Sequence, residues 1–154
     1  IYAWPKPDTK FDTGGRPGAD DRDWHPQVIV VNLGTNDFST PVHAGERWRD
    51  QAELRAAYRD RYVRFVGELR ARQPQARFVL MGSPMFYEDV TRVATSVNAR
   101  APSLATTIRF DGLAYAGCHK HPSLADDRLL AAMLRRTIDE LHLGGKSGRW
   151  QSGG

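Results

Sequence analysis

The stretch VIVVNLGTNDFST, Val28 to Thr40, decides the fold. Its first four residues, Val28 to Val31, are all β-branched, and apolar residues occupy both alternating sets of positions. That pattern belongs to a strand covered on both faces, as at the centre of a parallel sheet. Within three more positions the chain changes to Gly34, Thr35, Asn36 and Asp37. Glycine permits a tight turn, and the turn sets an amide beside a carboxylate at the strand's carboxyl end.

Outward from this strand, the periodicity switches repeatedly. Apolar residues at Leu54, Tyr58, Tyr62, Phe65, Val66 and Leu69 fall in steps of three and four. This predicts an amphipathic helix from about Gln51 to Arg72, stopped by Pro74. ARFVLMGSP, Ala76 to Pro84, reads as a second buried strand ending in a Gly-Ser-Pro turn. A helix is expected over Glu88 to Asn98, and a third strand over TTIRFDG, Thr106 to Gly112. Ser123 is placed to cap a last helix, with Asp126 three residues on completing a capping box. Leu130, Met133, Leu134, Ile138 and Leu141 give that helix a buried stripe, and Gly144 and Gly145 end it.

Alternating strands and helices predict a three-layer αβα fold: a parallel sheet with helices on both faces, joined by right-handed crossovers. Three strands make a thin sheet, and the chain starts at Ile1 in mid-pattern. Further strands are therefore expected upstream, with residues 1–143 forming the C-terminal portion of one domain and 144–154 a flexible tail. The stretch Ile1 to Pro26 is rich in Pro, Gly and Asp and reads as loop, too long for an ordinary connection.

Bulk composition excludes several classes. No apolar run approaches the roughly 18 residues of a membrane span. The net charge of +4 comes from arginines interleaved with acids, as in Arg55, Arg59, Asp60, Arg61, Arg64, Glu68 and Arg70. A nucleic-acid surface needs a one-signed basic face, so this reads as a solvated helix face instead. One cysteine, Cys118, allows no disulfide within the chain and reads as buried packing. His119 and His121 lie two apart without a third ligand, so no metal is expected.

In open parallel sheets, ligands bind at the carboxyl ends of the strands. Three segments lie there: GTNDFS, GSPMFYE and DGLAYAGCHKHPS. An ester hydrolase must stabilise an oxyanion and move a proton. The Asn36 amide is a neutral donor of the kind worth about 2.7–4 kcal/mol in a transition state. An imidazole, with a reference pKa of about 6.5, can take a proton from a serine and return it to a leaving alcohol. His121 precedes Pro122, which favours extended backbone, and then a helix. Phe38, Met85, Phe86 and Lys120 are candidates to line an acyl or sugar pocket. Asp37 is expected to bond loop amides and steady Asn36, and Trp4, Trp24 and Trp48 read equally well as packing.

VNLGTND, followed some 85 positions later by GCHKHPS, resembles the SGNH, or GDSL-type, hydrolases. The combination LGTNDFS, GSPM and GC-x-x-HPS resembles most the family 2 carbohydrate esterases, and it covers roughly Trp24 to Leu141. The resemblance implies a flavodoxin-like parallel sheet, with Asn36 as oxyanion donor and His121 as catalytic base. It implies removal of acetyl groups from carbohydrate such as xylan, outside the cell or in the periplasm, without a cofactor. It leaves room for an accessory domain upstream. This sequence departs from the family pattern in two places. No Gly-Asp-Ser block is present, and Ser39, Ser83, Ser96, Ser103 and Ser123 lack that setting. The nucleophile is expected outside this chain, which alone should not hydrolyse p-nitrophenyl acetate. The carboxylate that often lies two or three residues before the histidine is replaced by His119 and Cys118. The match is to the variant in which a backbone carbonyl orients the imidazole, with Asp111 as a weaker alternative. Rival readings are an esterase of lipid or aryl esters, and a non-catalytic module binding sugar or a partner.

Overall fold

The structure is a computed structural model that describes residues 25–141. Trp4, Trp24, most of the proline- and glycine-rich loop, and the tail 144–154 lie outside the described residues. The chain divides into two compact units, Ile1–Leu113 and Ala114–Gly154.

The first unit holds a three-stranded parallel sheet in the order β1-β2-β3: β1 Val28–Asn32, β2 Arg77–Gly82 and β3 Ala105–Arg109. Val30 pairs with Val79, and Leu80 with Thr107. A four-residue helix, α1 (Thr35–Phe38), follows β1 where the sequence predicts only a turn. Two longer helices connect the strands, α2 (Gln51–Arg72) and α3 (Tyr87–Asn98). The range of α2 matches the expectation, because its apolar steps are regular over six positions. Asp50 caps it, its side chain accepting from the Glu53 N–H at 2.8 Å.

The three described strands form the parallel α/β arrangement that the sequence predicts. Among the three described strands β2 lies in the middle, and from Phe78 to Gly82 it is buried throughout. In β1 the alternation is visible instead. Ile29 and Val31 face the core cluster, while Val30 on the opposite face is 42% exposed. Within this unit α2 and α3 pack against one another. Two crossovers of one hand, stepping in one direction across a sheet, place their helices on the same face. The resulting core joins Tyr58, Tyr62 and Val66 of α2 to Phe78 and Leu80 of β2 and Val90 and Val93 of α3. Trp48 packs against its rim. Asn98 fixes the end of α3 to β3: its amide donates to the Ala105 carbonyl at 2.9 Å and accepts from the Ala105 N–H at 2.8 Å.

The second unit contains a short 3-10 turn, Cys118–Lys120, and the helix α4, Leu124–Glu140. Ser123 caps α4 in a full capping box with Asp126, as the sequence predicts. The expected stripe, Leu130, Met133, Leu134, Ile138 and Leu141, is half-buried, whereas Leu124 and Leu129 on other faces are exposed.

Candidate active site

The turn bearing Asn36 is shaped by aromatic packing. Gly34 has φ of +131°, and a Cβ there would sit 2.7 Å from the Phe86 ring and 2.9 Å from the Tyr58 hydroxyl. Only glycine therefore lets β1 run into α1 at this point. The Tyr58 hydroxyl donates to the Leu33 carbonyl at 2.7 Å, and the Tyr62 hydroxyl donates to that of Val31 at 3.3 Å. Burial, the largest influence on both phenols, pushes them well above the ordinary tyrosine value, so they remain donors. Below the turn, the Phe38 ring meets Tyr58 edge-on at 4.9 Å and stacks on Phe86 at 5.8 Å. Asn36 itself is exposed on the first turn after β1.

Phe38 and Phe86, read from sequence as pocket lining, are core residues at 7% and 1% exposure. Their faces are spent on each other and on Tyr58. Met85 beside them is 50% exposed and remains available to a ligand.

A residue missed in sequence ties the two strand-end loops together. The Arg55 guanidinium lies 4.6 Å over the Phe38 ring and donates to the Met85 carbonyl at 3.1 Å. It also pairs with Asp89, which is buried and takes Arg59 at 2.6 Å on its other oxygen. Arg55 and Arg59 are thus not simply a solvated face. The mixed charges of α2 concealed this, because the partner lies 34 positions away from Arg55.

His121 stands in the second unit, on a loop built from backbone bonds. Gly117 N–H donates to the His121 carbonyl at 3.0 Å, and His121 N–H donates to the Cys118 carbonyl at 3.1 Å. A Cβ on Gly117 would lie 2.6 Å from the Pro122 oxygen and 2.7 Å from the His121 oxygen. The His121 Nδ1 lies 3.0 Å from that same Cys118 carbonyl. A carbonyl only accepts, so in the neutral ring this bond puts the proton on Nδ1 and the lone pair on Nε2. Tyr115, His119 and Lys120 all adopt positive φ, of 51°, 54° and 60°. Cys118 is exposed, contrary to the packing role expected of it. Its carbonyl, rather than its thiol, is the group in use. Asp111 belongs to the first unit and pairs with Arg109 at 3.2 Å.

The predicted residues therefore divide: Asn36, Phe38, Met85 and Phe86 in the first unit, Lys120 and His121 in the second. Among the described residues no cluster of three His, Cys, Asp or Glu could hold a metal ion. No helix among them is long and apolar enough to cross a membrane.

No protein-family model matches the chain. It is 42% identical over 131 residues to an acetylxylan esterase/glucomannan deacetylase of Cellvibrio japonicus, covering 82% of this chain and 35% of that protein. Among solved structures, it matches a carbohydrate esterase described as showing divergent catalytic and non-catalytic binding functions. That match has a TM-score of 0.74 and 40% identity, over 82% of this chain and 40% of the other. It also matches a family two carbohydrate esterase from Clostridium thermocellum in complex with cellohexaose. There the TM-score is 0.60 and the identity 28%, over 79% of this chain and 38% of the other. The chain thus spans between a third and two fifths of these relatives' lengths.

Proposed function

Because this chain is a relative of the family 2 carbohydrate esterases, we propose that it carries the base and one oxyanion donor of a serine esterase that deacetylates polysaccharide. The single observation that supports this best is the His121 imidazole, held through Nδ1 by a backbone carbonyl with Nε2 left to accept a proton. The nucleophilic serine lies outside this chain. It attacks the acetyl carbonyl, and its proton passes to Nε2 of His121. The Asn36 amide donates to the oxygen as it turns negative. The imidazolium then protonates the departing sugar hydroxyl, leaving an acetyl-serine ester. Water attacks that ester as His121 takes its proton; the bond from Ser Oγ to the acyl carbon then breaks, the imidazolium returns the proton to the serine, and acetic acid leaves and ionises in solution.

The Cys118 carbonyl does the orienting work that a carboxylate performs in a triad. It fixes the tautomer and ring direction but supplies no full negative charge. Met85, exposed at the end of β2, is the side chain of the first unit left to meet a substrate, and Arg55 holds its loop in place. The Cellvibrio relative is named for acetylxylan and glucomannan, and polymers of that size are met outside the cytoplasm. We assign the same substrate class and an extracellular or periplasmic location to this protein.

The test is kinetic, on acetylated xylan with the full-length protein. His121→Ala should lower kcat by about 10²–10⁴-fold, the range for loss of a general base. Asn36→Ala should lower it by about 10²–10³-fold with KM little changed. Undiminished turnover by His121→Ala would overturn the reading. Tight binding of xylan without any turnover by the unmodified protein would favour a non-catalytic sugar-binding role instead.

A further inference from the structure

We propose that Asp126 is the positioning residue for His121: one carboxylate ties together both ends of the loop that carries the imidazole. The inference rests on the reading of His121 as the base. Asp126 Oδ1 accepts from the Ala114 N–H at 2.7 Å, and Oδ2 accepts from that of Tyr115 at 3.1 Å. Oδ2 also accepts from the Ser123 N–H at 2.8 Å and from the Ser123 hydroxyl at 2.9 Å. Residues 114–115 open the loop, and Ser123 closes it two positions after His121.

A capping box accounts for only part of this. Such a box needs the Ser123 bonds and nothing more. The bonds from Ala114 and Tyr115 come from twelve and eleven positions upstream. They have no place in capping a helix. Asp126 is also the only buried residue of α4, at 2% exposure. The neighbouring Asp127, in the same first turn, is exposed.

The loop needs such a tether. Three of its non-glycine residues, Tyr115, His119 and Lys120, sit at positive φ. Such residues keep that conformation only where their surroundings over-determine it. The structure supplies two nested closures. The inner one is Gly117 N–H to the His121 carbonyl, with His121 N–H and Nδ1 both on the Cys118 carbonyl. The outer one is Asp126. Opening the outer closure frees residues 114–123, and strain then favours a rotation that takes Cys118 off Nδ1. The ring loses its fixed tautomer and its aim. The four donors, Ser123 N–H foremost and then that of Ala114, hold the Asp126 carboxyl below the usual aspartate range against an opposing effect of burial. The ionised tether is therefore the stable one at neutral pH.

Kinetics and the nitrogen resonances of the His121 ring in the full-length protein test this. Asp126→Asn should lower kcat on acetylated xylan on the order of tenfold to a hundredfold, the scale of a misplaced catalytic group. KM should hold, and the ring signals should move from one tautomer towards a mixture. Asp127→Asn, matched in charge and in position within the first turn, should change neither. If Asp126→Asn does not fold, Asp126→Glu replaces it: the charge stays but the tether lengthens, and the same two readouts should shift by less. A folded variant that loses stability but keeps wild-type kcat and ring signals would make Asp126 a helix cap only and overturn the proposal. Full activity in His121→Ala would instead overturn the reading of the base. The ring signals would still report on the tether.

Discussion

The Gly34 turn and the Gly117 loop do comparable work by different physics. Each follows a glycine where a Cβ would collide, and each presents one polar side chain. Gly34 is crowded by the Phe86 ring and the Tyr58 hydroxyl at 2.7 and 2.9 Å. Gly117 is crowded by the carbonyl oxygens of Pro122 and His121 at 2.6 and 2.7 Å. The first turn stands on a buried aromatic cluster with one cation over it. The second stands on backbone hydrogen bonds and a single carboxylate, in a loop whose side chains are mostly exposed. Packing is non-directional and indifferent to protonation. Charged hydrogen bonds are directional and vanish when the acceptor is protonated. The turn that bears Asn36 is thus held by shape, and the imidazole by direction.

The largest expected effect tests the aromatic side. Phe86→Ala removes a ring at 1% exposure that touches both Phe38 and Tyr58. It should lower stability by about 3–5 kcal/mol. Urea melts should give the same loss at neutral and at mildly acidic pH. A loss that depends strongly on pH would break the contrast.

Gly117→Ala probes the other side. The added carbon meets backbone oxygens, which cannot rotate away as a flexible side chain would. The bond from Gly117 N–H to the His121 carbonyl must lengthen. A smaller stability loss of about 1–3 kcal/mol is expected, and turnover should suffer more than folding does. A variant with wild-type kcat would show that the inner closure does not aim the ring.

The smallest effect is the acid limb. The carboxyl of Asp126 is held below its usual range, so its contribution is fully present above the ordinary aspartate value of about 3.9 and fades only as pH falls below it. The protection of the Ala114 and Tyr115 amides from hydrogen exchange, taken against the unstructured rate at each pH, should therefore hold down to that value and fall beneath it. Protection that disappears at higher pH would assign the tether to some other group.

Several local features were legible before any coordinates. Gly34, Asn36, His121 and the Ser123–Asp126 box are local patterns: a turn glycine, a polar pair after an apolar run, a histidine before proline, a cap three residues from its partner. Local spacing says little about what stands across a sheet or a loop. Phe38 and Phe86 look like rim residues when each is seen next to polar neighbours. Their burial follows from α2 and α3 converging on one face, which brings Tyr58 against both rings. Asp89 looks like one more surface acid until Arg55 and Arg59 reach it from another helix.

The sequence by itself determined the periodicities, hence the parallel α/β order, and the residue types that suit ester hydrolysis. Those depend on contacts within a few positions. Only the tertiary structure decided that Phe38 and Phe86 pack on Tyr58, that the Cys118 carbonyl takes Nδ1, and that Asp126 reaches back to Ala114 and Tyr115. Each of these joins atoms whose proximity depends on the path of the chain between them, and no count along the sequence contains that path.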